Sequence, residues 1–385
     1  VKYGYMIERP FWIKRIQECW EDAPIVWLAG LRRVGKTTLA KSISGPTTYL
    51  NCDLPIVTEM TAQPELFFQN CKTPVVIFDE IHQLPDPSRL LKIGADEFPH
   101  LKILATGSST LAATHKFKDS LTGRKRTVHL TPVLFDELPA FHQTSMLKRL
   151  YQGGFPQVVM RAHKPEGFYR EWMDSFFSRD IQRLFGFRDF SKFTLFFEYL
   201  LRQSGGLFEL SRASSELGIS RPTLENYLQA LTISHAVTVL RPYHKGGQKE
   251  LVKTPRLYAF DTRFVSFFRG WNPLRPSDYG HLWEHLVLES LQAHVPERTV
   301  HYWRTSTGLE VDFVVPRSRD RLDCIECKWD PRKFNPEGLA AFRSLYPHGK
   351  NIILSPLEPA TSYQKTIGTL EVTIANPLNL ASILI

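Results

Sequence analysis

Three continuous apolar runs punctuate the first 110 residues: "PIVWLAG" (24–30), "TPVVIFDE" (73–80) and "LKILATGS" (101–108). Each is short, rich in branched residues and free of polar alternation, the pattern of a strand covered on both faces. Helical spacing lies around them, in "PFWIKRIQECW" (10–20), which opens at Pro10, and from Thr37 to Ser44. Runs of this kind separated by helices predict an α/β domain with a parallel sheet, ending near Phe141.

The pattern then changes. Residues 146–205 read as aromatic-rich helices with "GGFPQ" (153–157) as a break. "LSRASSELGISRPTLENYLQALTISH" reads as helix, turn, helix, with Gly218 stopping the first helix, Ser220 placed to cap the second, and Leu224, Tyr227, Leu228 and Leu231 forming one apolar stripe. "AVTVLRPYHKGGQKELVKTPRLYAFD" follows as a hairpin with "KGGQ" at its turn, which completes the order of a winged helix. A last unit has a helix at 281–295, strands in "TVHYWRT", "LEVDFVVP" and "DCIECKW", a helix near 336–346 and the strand "KNIILS". The expected domains are therefore 1–142 (α/β), 143–270 (helical, with the winged helix) and 271–385 (α+β).

Composition narrows the setting. The 385 residues are 43% hydrophobic and 23% charged, as in ordinary globular domains, and the net charge of +9 favours a polyanionic partner. Five cysteines make no disulfide framework, and no apolar run approaches the ~20 residues that span a bilayer. The first residues, "VKYGYMIERPFWIKRI", lack the apolar core of a signal peptide, so the expected place is the cytoplasm, with no membrane contact.

The chemistry begins at Gly30. "GLRRVGKTT", comprising Gly30, Leu31, Arg32, Arg33, Val34, Gly35, Lys36, Thr37 and Thr38, fits G-x-x-x-x-G-K-[ST] and runs from an apolar strand into a helix. In that context backbone N–H groups turn inward around phosphates, Lys36 reaches the β- and γ-phosphates of ATP, and the Thr37 hydroxyl ligates Mg2+. Asp79, at the end of the second strand, is placed to hold the magnesium shell, and Glu80 to orient or deprotonate the attacking water. Ser108 or Ser109 ends the third strand, where a side chain senses the γ-phosphate. Arg124 in "LTGRKR" is a candidate phosphate contact, in its own subunit or a neighbour's, against the alternative of a solvated basic loop.

"GLRRVGKTTLAKSI", "VVIFDEIHQLPD", "ILATGSSTL", "SLTGRKR" and "LTPVLFDEL" resemble a group of bacterial and archaeal AAA-type ATPases, and "YQGGFPQVV", "FFSRDIQRLF", "TPRLYAFDTRF" and "GLEVDFVV" resemble the domain of unknown function that follows the ATPase module in that group. The resemblance implies an AAA-type fold, ATP and magnesium. It also implies Ser108 as the sensor and Arg124 as the arginine of the G-R pair, which opens the way to a homo-oligomer.

"LDCIECKWD" (322–330) offers two readings, a C-x-x-C pair and an E-x-K pair. On a strand, Cys324 and Cys327 point to opposite faces about 10 Å apart, beyond a disulfide, and no second C-x-x-C or histidine spacing completes a zinc site. Glu326 and Lys328 share a face. With Asp312 from the preceding strand and Glu284 from the preceding helix, or its rival Glu289 one turn on, they follow the order of the PD-(D/E)xK nuclease superfamily. That resemblance implies a divalent ion on Asp312 and Glu326, Lys328 as the positioning or charge-stabilising group, and Glu284 completing the cluster.

For nucleic acid, Arg221, Asn226 and Gln229 lie off the apolar stripe of the second helix, and the hairpin carries Arg241, His244, Lys245, Lys249, Lys253 and Arg256. The expectation is an ATP-hydrolysing DNA-binding protein that processes DNA, branched or forked DNA being attractive, with turnover coupled to the nuclease-like domain. The alternative is a nucleotide-switched protein-interaction module on a silent nuclease-like scaffold.

Overall fold

A computed structural model describes residues 7–107, 121–160, 167–244, 253–295, 299–359 and 361–384. Five strands form one parallel sheet in the order β2-β3-β4-β1-β5: β1 Ile25–Ala29, β2 Thr47–Asn51, β3 Val75–Asp79, β4 Lys102–Thr106 and β5 Lys125–His129. Side chains alternate between two cores. Val26 and Leu28 pack with Trp12, Ile16 and Trp20 of the helix Pro10–Asp22 on one face, while Ile25 and Trp27 pack with Phe68, Leu90 and Leu91 of the helices Pro64–Gln69 and Pro87–Glu97 on the other. Full cover on both faces is why β1, β3 and β4 read as unbroken apolar runs. Because all five strands run one way, their C-terminal ends share one edge. There β4 lies between β1 and β3, so Thr106 stands between the loop after β1 and Asp79 at the end of β3.

The second region packs its aromatic helices onto that sheet. Phe155, Trp172 and Phe176 belong to the same core as Val34 and Leu39. The "GGFP" break has a steric cause. Gly153 has φ +78°, and a Cβ there would meet Asp261 Oδ1 at 2.3 Å, while the Gly154 N–H donates to Asp261 Oδ2 at 2.6 Å. The helices Leu210–Leu217 and Arg221–Ile233 flank Gly218, which has φ +64°. Leu224, Tyr227 and Leu231 are buried, and the Ser220 hydroxyl bonds Thr223 rather than capping the helix. β6 (Val237–Leu240) and β7 (Arg256–Ala259) pair antiparallel.

The third region is a six-stranded sheet in the order β12-β13-β11-β10-β9-β8. β8 (His301–Arg304), β9 (Glu310–Pro316) and β10 (Leu322–Cys327) form an antiparallel meander. The helix Glu337–Leu345 then crosses over to β11 (Asn351–Leu354), parallel to β10, and β12 (Tyr363–Ile367) and β13 (Leu370–Ala375) extend the far edge. The helix Pro276–His294 covers one face with Trp283 and Leu286, and Glu337–Leu345 covers the other with Leu339 and Phe342. Among the described residues no helix is long and apolar enough to cross a membrane.

Candidate functional site

The loop after β1 is held from several sides. Gly30 has φ +151°, and a Cβ would lie 2.6 Å from the Leu130 carbonyl oxygen, so only glycine lets the loop pass β5. Arg33 (φ 66°) and Gly35 (φ 100°) both take left-handed backbone, turning the chain into the helix Lys36–Lys41. Arg9 braces the turn from below. Its guanidinium bonds both Glu137 oxygens (2.7 and 2.6 Å) and donates to the Val34 and Thr131 carbonyls. From above, Trp172 Nε1 donates to the Arg32 carbonyl at 3.1 Å, and the Arg33 guanidinium lies over the Phe168 ring. Lys36 Nζ donates to the Gly30 and Leu31 carbonyls (2.9 and 3.0 Å) and is nearly buried. Burial lowers its pKa, and Glu80 works against that shift.

Opposite the loop stand Asp79 and Glu80. Asp79 is buried, with Oδ2 accepting from the Tyr49 hydroxyl (2.7 Å) and Oδ1 from Thr106 (2.6 Å). The Thr106 hydroxyl also accepts the Glu80 N–H at 2.9 Å, fixing Glu80 in its left-handed backbone (φ 56°). Burial raises the Glu80 pKa, the Asp79 charge adds to it, and Lys36 opposes. A cavity of about 580 Å³ opens here, between Lys36, Thr37, Thr38 and Glu80 on one side and Pro156, Gln157, Met160, Arg179 and Asp180 on the other. That size and polar lining suit a nucleotide. The Asp79 carboxylate has lone pairs beyond the two in use, and Thr37 offers a hydroxyl, so the oxygen donors also fit a magnesium ion carried by phosphates.

Thr106 was inside the apolar run but was passed over for the serines after it; Ser108 and Ser109 lie outside the described residues. Asp180 was also missed. It sits on a π-helical turn, Phe177–Ile181, and pairs with Arg32 at 3.2 Å. Arg124 is a correction as a contact within its own subunit. Ile25 pairs with Lys125 in the parallel ladder, so Arg124 lies at the opposite end of the sheet from Gly30, about 16 Å down the strands. It forms an ion pair there with Asp96 at 2.5 Å.

In the C-terminal sheet the β9–β10 ladder runs to Ile325↔Phe313, and beyond it the Cys327 N–H donates to Asp312 Oδ2 at 2.8 Å. Lys328 Nζ bridges Asp312 Oδ2 (2.9 Å) and Glu326 Oε2 (2.8 Å). Burial opposes the Lys328 charge, but those two carboxylates hold its pKa above the usual range. Glu284 joins the group: burial and the Asp312 charge raise its pKa, while Arg256, 3.1 Å away, opposes. Tyr258 also donates to Glu284. Glu289 lies elsewhere, paired with buried Arg149 at 2.9 Å, which removes it as the rival. Cys324 packs among Leu339 and Phe342, and Cys327 among Trp283 and Leu286, on opposite faces. Both thiols are free, and burial raises their pKa.

The expected DNA-facing residues divide. Arg221, Asn226, Gln229, Arg241, His244 and Lys253 are exposed, with Arg221 paired to Glu225 at 2.9 Å. Lys245 and Lys249 lie outside the described residues. Arg256 is a correction: it is 5% exposed and belongs to the acidic cluster, not to a solvated hairpin. The arm of the hairpin is also docked, since the Tyr243 N–H donates to the Tyr302 carbonyl on β8 at 2.7 Å.

Residues 22–139 match the profile of an AAA domain, 143–275 a domain of unknown function (DUF8612) and 279–373 a domain of unknown function (DUF4143). The chain is 27% identical over 323 residues to uncharacterized proteins of Mycobacterium tuberculosis and Mycobacterium bovis, covering 81% of this chain and 72% of each relative. Among solved structures it is similar to a Walker-type ATPase of Pyrococcus abyssi (TM-score 0.41, 16% identical, 67% of this chain and 94% of that one). It is also similar to Cdc6p of Pyrobaculum aerophilum (TM-score 0.30, 12% identical, 70% and 95%). With the phosphate loop, Asp79 and Glu80 gathered at one sheet edge, the domain matches support an AAA-type P-loop ATPase carrying a C-terminal DUF4143 domain.

Proposed function

We propose that this chain hydrolyses ATP at the Lys36 loop and couples turnover to DNA held by its C-terminal two-thirds. The observation that carries the coupling is the cavity itself. One wall is the phosphate loop, and the other is Pro156–Met160 and Ser178–Asp180 of the following domain, so a nucleotide there touches both.

The chain's own groups divide the work. Lys36 exchanges its two carbonyl partners for phosphate oxygens, and the helix Lys36–Lys41 presents its first N–H groups to them. Glu80, held by Thr106, orients the attacking water and takes its proton; the raised pKa suits that exchange. A magnesium ion bound with the nucleotide neutralises phosphate charge, and Thr37 and Asp79 are the side chains that would hold it. Arg124, paired with Asp96 outside its own site, would have to exchange that carboxylate for a phosphate of a neighbouring subunit of a homo-oligomer.

The helix pair around Gly218 followed by β6 and β7 supports the winged-helix reading, in which the exposed Arg221, Asn226, Arg241 and Lys253 would supply phosphate and groove contacts. The helix–meander–helix–strand order of residues 276–354 supports reading them as a PD-(D/E)xK core, in which Glu284, Asp312, Glu326 and Lys328 are the proposed site residues. The test is ATP turnover with and without duplex, forked and four-way DNA. Stimulation by DNA, lost on Lys36→Ala, supports the reading; a rate and a binding signal indifferent to every DNA shape at moderate salt would remove it. One observation favours the second reading, a nucleotide-switched protein-binding module on a silent scaffold: each carboxylate of the C-terminal cluster already has a cation from the chain. That reading expects partner capture that depends on Lys36 and ignores Asp312→Asn.

A further inference from the structure

Among the described residues no group of three or more histidine, cysteine, aspartate or glutamate side chains is arranged to hold a metal ion. The C-terminal cluster would seem the exception, since Glu284, Glu310, Asp312 and Glu326 converge on it. Their partners explain why it is not. Lys328 bridges Asp312 and Glu326, where an ion shared by these two carboxylates would sit. Arg256 reaches in from β7 and bonds Glu284 (3.1 Å) and Glu310 (2.7 Å), with its guanidinium 4.9 Å from the centre of the Tyr302 ring. Arg304 holds Glu310 from the other side at 3.0 Å.

We infer that this cluster carries its counter-ions within the chain, Arg256 and Lys328, and takes no divalent cation while Arg256 is in place. The chemistry of the oxygens supports this. Glu284 Oε1 accepts from both Arg256 and Tyr258, and Asp312 Oδ2 from both Lys328 and the Cys327 N–H. A divalent ion needs several such oxygens at about 2.0–2.6 Å, stripped of competing donors. Here it would have to displace the Lys328 ammonium from Asp312 and Glu326 or, at Glu284, a guanidinium that is 5% exposed and would be left buried without its carboxylates, which is strongly unfavourable. The arginine arrives on a strand of the preceding domain: β7 pairs Arg256 with Leu240 of β6, and Tyr258 comes from the same strand. The cluster is therefore a joint between the hairpin and the C-terminal sheet. Removing Arg256 alone leaves Glu284 without its cation and Glu310 with Arg304 only, and uncovers a site for a divalent ion where Glu284 faces Asp312.

The experiment is Mn2+ titration of the full chain without nucleotide, with free Mn2+ read by electron paramagnetic resonance. Wild type and Asp312→Asn are expected to bind equal numbers of ions, because the cluster holds none in either. Arg256→Met is expected to bind one ion more, and Arg256→Met combined with Asp312→Asn to lose it. An ion in wild type that disappears on Asp312→Asn overturns the inference, whether or not the Arg256 variants fold. So does an Arg256→Met protein with wild-type circular dichroism that gains no site.

Discussion

Thr106 gives the sharpest test of how the nucleotide site is assembled. Its hydroxyl is fully buried, donates to Asp79 Oδ1 at 2.6 Å and accepts the Glu80 N–H at 2.9 Å. Thr106→Val keeps the shape of the side chain and removes both bonds. One loss is a charge-assisted bond to a carboxylate, and the other leaves the part-buried Glu80 N–H without that partner. At roughly 1–3 kcal/mol each and incomplete additivity, the cost is about 2–4 kcal/mol. In a domain of about 150 residues that lowers the melting temperature by about 4–16 °C. Released from Thr106, Glu80 also loses the backbone anchor that, in the proposed mechanism, aims it at the attacking water. We expect kcat to fall about 10- to 100-fold, equivalent to ~1.4–2.7 kcal/mol of barrier, with a smaller change in KM for ATP. Thr106→Ser keeps the hydroxyl and should stay within a few-fold of wild type. Steady-state turnover and thermal melting on the three proteins decide it. A Thr106→Val protein with wild-type kcat and melting point refutes the reasoning, and equal damage from Thr106→Ser would assign the effect to the methyl group.

Other outcomes follow from other parts of the fold. Gly153→Ala should abolish soluble protein or lower the melting point by more than 10 °C, because its Cβ would meet Asp261 Oδ1 at 2.3 Å, whereas Gly123→Ala, with φ +76° and open space around it, should cost only about 1–2 kcal/mol of left-handed strain. His294 bonds Asp136 at 3.2 Å; burial works to lower its pKa, but the bonds to Asp136 and the Ser290 carbonyl outweigh burial and raise it. Its stabilising contribution, about 1 kcal/mol, is thus complete below about pH 6.5 and lost as pH rises through the raised folded value, so the denaturation difference between wild type and His294→Gln should shrink from pH 5.5 to pH 8.5. Cys324→Ala with Cys327→Ala should leave the metal content measured by mass spectrometry unchanged, since the two thiols pack in different cores.

How far the sequence carried can be traced element by element. β1, β3 and β4 were legible because each is covered on both faces. β2, "TTYLN", and β5, "KRTVH", were not, because they form the two edges of the sheet and carry partly exposed polar side chains. β12 escaped for the same reason: four of its five residues are exposed. The phosphate loop was readable from its glycines, whose backbone demands are local. The partners that brace it were not, because Arg9 and Trp172 act across 25 and 140 positions of chain, nor was Thr106, which holds Glu80 across 26; at such distances spacing carries no signal. The alternation of "DCIECKW" placed Cys324 and Cys327 on opposite faces and Glu326 beside Lys328. What alternation could not give was Arg256. In the sequence it is one more cation in a basic hairpin, and only the docking of β7 against the last domain turns it inward.

Whether the Lys36 loop, Asp79 and Glu80 form one ATP-hydrolysing site is decided by phosphate release from ATP in wild type, Lys36→Ala and Glu80→Gln, with nucleotide binding followed in parallel by fluorescence of a labelled ATP. Turnover is expected in wild type, loss of both binding and turnover in Lys36→Ala, and retained binding with turnover reduced at least about 100-fold in Glu80→Gln. Phosphate release by the wild-type chain that survives Lys36→Ala, or wild-type turnover by Glu80→Gln, would contradict it.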